Sequence, residues 1–290
     1  MPLKSESELA AGLYIVATPI GNLGDISLRA LDTLRKVDVV ACEDTREAGK
    51  LTSIYEIEAD KIPYHDHNAA EMRPKIISML RDGKRVALIS DAGMPLVSDP
   101  GYKLVENCIA EGFHVTCVPG ATASLAALVL SGLPSDRFLF AGFLPTKSAA
   151  RRAALSEVKY VPATLIFYET APRLAESLGD MKEILGDRAA AVCRELTKKF
   201  EETRRATLSQ LAAHYENNGA PKGEIVVVVA PPAADAVEQW TEETVDRALA
   251  KMMDGEGMSV KDASAFVAAQ SGLKKSGVYQ RALLLRNRKK

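Results

Sequence analysis

LYIVAT, from Leu13 to Thr18, runs straight into PIGNLG, from Pro19 to Gly24. None of the first six residues is charged and nothing alternates, the pattern of a strand buried on both faces. The proline and two glycines that follow make a sharp turn. Ser27 then stands where a helix N-cap belongs, and Leu28, Leu31, Leu34 and Val37 recur at helical spacing. Strand, turn and helix in this order form the unit from which parallel sheets are built.

The unit repeats along the chain. Apolar runs follow at Val39–Cys42, Ile62–Tyr64, Val86–Ile89 and Val115–Val118, with helical patterns between them. We therefore expect an α/β domain over residues 1–134, a five-stranded sheet covered by helices. A second α/β domain, residues 135–232, carries runs at Phe138–Phe143, Thr164–Tyr168, Ala189–Cys193 and Ile225–Val229, whose order and direction the pattern does not fix. APPAA, from Ala230 to Ala234, reads as a linker. Beyond it Val245–Met253, Val260–Ala269 and Val278–Leu285 read as three short helices, a small basic helix-turn-helix-like module over residues 233–290.

Composition narrows the class. Hydrophobic residues make up 47% and charged residues 26%, which is globular rather than disordered. A formal net charge of -1 gives no overall field toward nucleic acid, so any such binding needs local asymmetry. That asymmetry exists: from Met258 to Lys290 eight Lys or Arg stand against one acid, Asp262. Cys42, Cys108, Cys117 and Cys193 are far apart with no C-x-x-C pair, and read as reduced core thiols. No signal-peptide pattern is present and no apolar run nears the roughly 18 residues of a membrane span. The expectation is a cytoplasmic protein with no membrane partner.

Open α/β sheets bind ligands at the carboxyl ends of their strands, so the segments after each run are the candidates. Pro19–Gly24 lets a backbone approach a ligand, and reads equally well as a tight turn. It holds neither G-x-G-x-x-G nor a P-loop, which disfavours a nicotinamide oxidoreductase. Glu43-Asp44-Thr45-Arg46 reads as a helix cap plus a solvated charge, with a polar group facing substrate as the alternative. His65-Asp66-His67-Asn68 has no third metal ligand nearby, so no metal is assigned; substrate contact or loop polarity, with Asn68 capping the next helix, fits better. SDAGMPLVSDPG, Ser90 to Gly101, holds two acids, two glycines and two prolines, more fixed backbone than a simple connection needs. Lys147, Arg151 and Arg152 crowd a helix start, where cations oppose the helix dipole, and so suggest a phosphate or substrate role. YETAPR (Tyr168–Arg173) and Arg194-Glu195 follow strands, where an internal ion pair is the commoner explanation. Lys222-Gly223-Glu224 invites a close backbone contact before the last strand.

As a set these segments resemble the tetrapyrrole methylases, S-adenosylmethionine-dependent methyltransferases built of two α/β domains. The resemblance rests on TPIGNLG (Thr18–Gly24), EDTR (Glu43–Arg46), HDHN (His65–Asn68), SDAGMPLVSDPG, GLPSDRF (Gly132–Phe138), GFLPTK (Gly142–Lys147), FYETAPR (Phe167–Arg173), RELTK (Arg194–Lys198) and KGE (Lys222–Glu224). Met94 and Ala121 depart from it, standing where the family has Thr and Pro. The resemblance implies S-adenosylmethionine in the cleft between the domains, held by Pro19, Gly21, Asp91, Ala92, Gly93, Asp99, Pro119, Gly120, Tyr168, Gly223 and Glu224. It also implies a homodimer, and methylation of a cytidine ribose 2'-hydroxyl in small-subunit (16S) ribosomal RNA, within the assembled subunit.

On that expectation Glu43, Asp44 and Glu169 are candidates to take the hydroxyl proton, while Arg46, Lys147 and Arg173 position phosphates. The basic C-terminal stretch would hold RNA through phosphates, without much sequence reading. Two rivals stand beside this reading. One is a small-molecule, tetrapyrrole-like methyltransferase, against which the basic tail, HDHN and EDTR speak. The other is a non-catalytic RNA-binding ribosome-assembly factor, against which the cofactor-like loops speak.

Overall fold

The computed structural model describes residues 9–233, 242–271 and 273–288. Its first sheet holds β1 (Gly12–Val16), β2 (Val39–Cys42), β3 (Asp60–Pro63), β4 (Arg85–Ile89) and β5 (Val115–Val118) in the order β3-β2-β4-β1-β5. Every neighbouring pair is parallel. The strands alternate with α1 (Leu28–Lys36), α2 (Thr45–Ile54), α3 (Ala69–Arg81) and α4 (Tyr102–Ala110). Every residue of β1 and β2 is buried, which is why their sequences show no alternation. Ile76, Leu80, Leu104 and Cys108 cover one face of the sheet; Ala30, Leu34 and Ala48 cover the other. Ser27 caps α1 as expected, its hydroxyl accepting from the Ala30 amide at 3.0 Å. Asn68 does not cap α3: its side chain accepts from the His65 amide and donates to the Pro63 carbonyl, stapling the preceding turn.

The second sheet is mixed. It holds β6 (Phe138–Phe143), β7 (Thr164–Thr170), β8 (Ala189–Arg194), β9 (Glu202–Thr207) and β10 (Glu224–Val229) in the order β6-β7-β10-β8-β9. β6 and β7 are parallel and the other pairs antiparallel. Leu155 of α6 (Ser148–Val158), Leu178 and Met181 of α7 (Leu174–Leu185) and Leu211 of α8 (Leu208–Asn218) fill the core on one face. The other face meets α5 (Ala123–Ser131), whose Ala127 and Leu128 pack with Ile166, Cys193, Val226 and Val228. α5 therefore follows the first sheet along the chain and packs on the second, which interlocks the two units.

Two strands differ from expectation. β9 was not expected at all, because ETRRAT is a half-buried edge strand with no apolar run. β3 spans Asp60–Pro63 rather than Ile62–Tyr64; it too is an edge, mostly exposed, and Tyr64 lies buried just beyond it. Cys117 is exposed, so only Cys42, Cys108 and Cys193 are core thiols.

At the C-terminus α9 (Glu242–Ala250), α10 (Val260–Ser271) and α11 (Lys275–Arg288) enclose a core of Val245, Leu249, Ala263, Val267, Val278 and Ala282. Ala234 of the expected linker and Lys289 and Lys290 of the basic stretch lie outside the described residues. Among the described residues no helix is long and apolar enough to cross a membrane.

Candidate functional site

Because the first sheet is parallel, its carboxyl ends gather on one edge. β1 and β4 are neighbours there, and their loops are stitched together. The Thr18 amide donates to the Gly93 carbonyl at 2.9 Å and the Gly93 amide to the Thr18 carbonyl at 3.2 Å. The Thr18 hydroxyl donates to the Ser90 carbonyl at 3.2 Å, and the Ser90 hydroxyl reaches the Ala92 and Gly93 carbonyls, each at 3.3 Å. Leu96 and Ser98 are left-handed, with φ of 71° and 68°. Such strain costs about 1–3 kcal/mol per residue and persists where the surroundings over-determine it.

This edge faces the second sheet across two adjoining cavities. The larger, about 520 Å³, lies between Asp91–Met94 and Asp99 on one side and Tyr168–Pro172 and Gly223–Val226 on the other. The smaller, about 320 Å³, is walled by Pro19, Gly21 and Leu23, by Glu47, Lys50, Leu51 and Ile54 on α2, and by Lys198. Ile20, Asp91, Ala92 and Glu224 line both, forming the partition between them.

The charged residues lining the larger cavity are all acids, two of them, Glu169 and Glu224, paired with Arg173 and Lys198 outside it. Its lining includes the carboxylate residues Asp91, Asp99, Glu169 and Glu224, and no Lys, Arg or His. Burial, with Glu43, Asp91 and Asp66 nearby, pushes the Asp99 carboxyl up to about 6 against the opposing hydrogen bond from Ser90. Burial likewise raises Asp91 and Glu43, and neighbouring acids add to both. Tyr168 and Phe143 stand edge to face on the same wall, ring centroids 5.4 Å apart.

The structure sorts the expected residues. Asp91, Ala92, Gly93, Asp99, Tyr168, Gly223 and Glu224 meet around the larger cavity. Pro19 and Gly21 face the smaller one instead. Pro119 and Gly120 line neither; a Cβ on Gly120 would meet the Ala17 Cβ at 2.9 Å, so that glycine serves close packing.

The expected catalytic set is not gathered at either cavity. Glu43 is half-buried behind the partition, coupled to Asp91. Asp44 caps α2 and holds Arg46 in a two-pronged ion pair, with the Arg46 side chain 86% exposed. Glu169 lines the larger cavity, but its carboxylate accepts from the Thr170 amide and the Ser177 hydroxyl and lies 3.5 Å from Arg173. So occupied, it acts as a strut rather than a free base. Arg173 donates to the Leu144 and Pro145 carbonyls, fixing the loop that leads into α6. Lys147 is exposed at the start of α6 and lines neither cavity. Arg151 and Arg152, for which a phosphate or substrate role is expected, are bound to Asp180 at 2.6 Å each. Arg194 pairs with Glu202 across β8 and β9, and Glu195 with Lys198.

Known proteins share the family and the fold. The family described as Tetrapyrrole (Corrin/Porphyrin) Methylases matches residues 12–212. The chain belongs to this methylase family. A second match, to the RsmI C-terminal HTH domain, covers residues 238–286 and so takes in α9 to α11. A protein of Mesorhizobium japonicum named ribosomal RNA small subunit methyltransferase I is 53% identical over 96% of this chain and 94% of its own length. One of the same name from Erythrobacter litoralis is 51% identical over 97% and 98%. Among solved structures, uroporphyrin-III C-methyl transferase from Thermus thermophilus, complexed with S-adenyl homocysteine, superposes with a TM-score of 0.53 at 20% identity, covering 76% of this chain and 97% of that one.

In this methylase, sequence reading passed over Glu47, Lys50 and Lys198, which wall the smaller cavity. Glu47 and Lys50 lie in the first and second turns of α2, beyond the strand end and its following cap. Lys198 sat inside RELTK with nothing to tell it from a surface lysine.

Proposed function

We propose that this protein is an S-adenosylmethionine-dependent methyltransferase whose acceptor is a cytidine ribose 2'-hydroxyl in small-subunit ribosomal RNA. The observation that carries the cofactor is the acid-only lining of the larger cavity. A pyrophosphate would be repelled there, whereas a sulfonium cation is attracted. The fold neighbour's S-adenyl homocysteine complex and the names of the relatives support the same reading.

Bound there, S-adenosylmethionine supplies an activated methyl group. Phe143 and Tyr168 offer an aromatic wall for its adenine, and Asp91 and Asp99 compensate its charge. The acceptor oxygen enters from the smaller cavity, so the partition is where the two meet, and holding them in line supplies most of the acceleration. Methyl transfer to the oxygen would release the hydroxyl proton, which a carboxylate of the cleft has to take. Asp91, on the partition, is better placed to take it than Glu43, Asp44 or Glu169. Residues 1–134 and 135–232 build the cleft and residues 233–290 grip RNA. We further infer a cytoplasmic homodimer acting on the assembled small subunit.

The test is incubation of the purified protein with labelled S-adenosylmethionine and unmodified small subunits, then nuclease digestion and mass spectrometry. The expected outcome is label on the ribose of a single cytidine. Cofactor binding without label on RNA would move the reading to a small-molecule methyltransferase.

A further inference from the structure

The turn between β8 and β9 reaches both cavities: Leu196 lines the larger and Lys198 the smaller. Its backbone is constrained, with Glu195 and Thr197 left-handed at φ of 50° and 66°. The Lys198 ammonium lies 2.9 Å from Glu195 and 2.9 Å from Glu224, a residue of the partition. Its stem lies against the turn after β1, where a Cβ on Gly21 would meet the Lys198 Cγ and Cε at 2.5 Å. Gly21 has φ +139°, so a side chain there is excluded twice over. Lys198 is thus a strap from the second sheet across the first, pinned at both ends.

An ammonium has three N–H donors, and the two carboxylates account for two. The Glu195–Lys198–Glu224 group carries one net negative charge, and Asp91 adds another on the same partition. A phosphate is a poor guest beside that group. A neutral hydroxyl is a good one, because it accepts the third N–H and places its own proton among carboxylates.

We propose that Lys198 holds the acceptor hydroxyl, donating its remaining N–H to that oxygen in the smaller cavity, with the Gly21 contact setting where the oxygen stands relative to the cofactor. This rests on the methyltransferase reading above.

Lys198→Met keeps the stem and removes the donor, and Lys198→Arg keeps the charge with a different reach. With S-adenosylmethionine and small subunits, both variants should lose at least about 100-fold in kcat, the scale for removing one positioned donor. Cofactor affinity, read by calorimetry, should stay within about threefold, while Tm should hold in Lys198→Arg and drop by no more than a few degrees in Lys198→Met, which loses the strap's two ion pairs. Gly21→Ala displaces the stem without touching the charge and should lose kcat with cofactor affinity kept, at a cost in Tm set by its φ of +139°. Its kcat loss should be non-additive with that of Lys198→Ala, since the Cβ then meets no stem, whereas its Tm loss should persist. Full turnover in Lys198→Met overturns the proposal, as does a loss matched by an equal loss of cofactor affinity. If the wild-type protein binds cofactor and labels no RNA, the methyltransferase assignment to RNA falls and this proposal with it; if the wild type labels RNA and Lys198→Met does so equally, only this proposal falls.

Discussion

Asp99 stands in the company of Glu43, Asp66 and Asp91, and burial together with those neighbours raises its carboxyl to about 6. A raised carboxyl favours the protonated form in the native state. Its stability term is therefore full below the ordinary carboxylate pKa near 4 and is lost as pH rises through about 6. Cofactor binding runs the other way, because a sulfonium prefers the ionised carboxylate. S-adenosylmethionine affinity should rise from about pH 5 to about pH 7 with a midpoint near 6, while S-adenosylhomocysteine, lacking the charge, should change far less. Asp99→Asn should flatten the first curve onto the second. Calorimetric titration across that range decides it, and an unchanged midpoint in Asp99→Asn would mean another group titrates. Asp99 and Asp91, which line the larger cavity, were legible as candidates because fixed backbone after a buried strand is rare without a ligand. The phosphate or substrate role that the sequence suggests for Arg151 and Arg152 gives way to an ion pair, because the sequence shows their crowding at a helix start but not Asp180, on α7 beyond β7, that takes both.

That pairing is the main polar tie between α6 and α7. The Arg151 side chain is 0% exposed and Asp180 4%, with Ser148 and Arg152 on the same carboxylate. Burial alone would raise Asp180, but Arg152, Arg151 and Ser148 overcome it and hold the carboxyl below its ordinary range. The sign follows: the stabilisation is present above about pH 4 and is lost as pH falls. Asp180→Ala leaves the buried Arg151 with the Thr146 carbonyl and, as its one charged partner among the described residues, the exposed Glu176, so it should cost about 3–5 kcal/mol in urea unfolding at neutral pH. A loss under about 1 kcal/mol would show the tie to be dispensable. Cofactor affinity should not change, since none of these side chains lines the larger cavity. Strands were legible by their apolar runs rather than by burial alone, since β6 is largely exposed or half-buried and still reads clearly as FLFAGF. β1, β2 and β10, buried along nearly their whole length, announced themselves as apolar runs, whereas β9 did not, because an edge strand is held by backbone pairing that leaves little mark on side-chain pattern.

At the scale of the molecule, the two sheets are joined by α5 packed on the far sheet, by Ile20 buried in the same cluster and by the Lys198 strap, while the C-terminal helices keep a core of their own. The alternation of apolar runs foretold the first sheet's class but not the second's order, because connection lengths alone do not say whether a strand returns antiparallel. Charge is also divided by unit: acids in the cleft, cations at the end of the chain. The structure trims the latter, since Arg281 is held by Asp246 and Glu242 at 2.6 Å and is not available to a phosphate. Lys261, Lys274, Lys275 and Arg286 are exposed on the module. Phosphate contacts release counterions, so each one adds about 0.7–0.9 to the slope of log affinity against log salt. Neutralising Lys274, Lys275 and Arg286 together should weaken small-subunit binding and lower that slope by about 2–3, with cofactor affinity intact. Fluorescence anisotropy over a salt series gives both numbers. A weaker complex with an unchanged slope would place the RNA contact elsewhere than these three cations, and an unchanged complex would leave the module without a part in holding RNA.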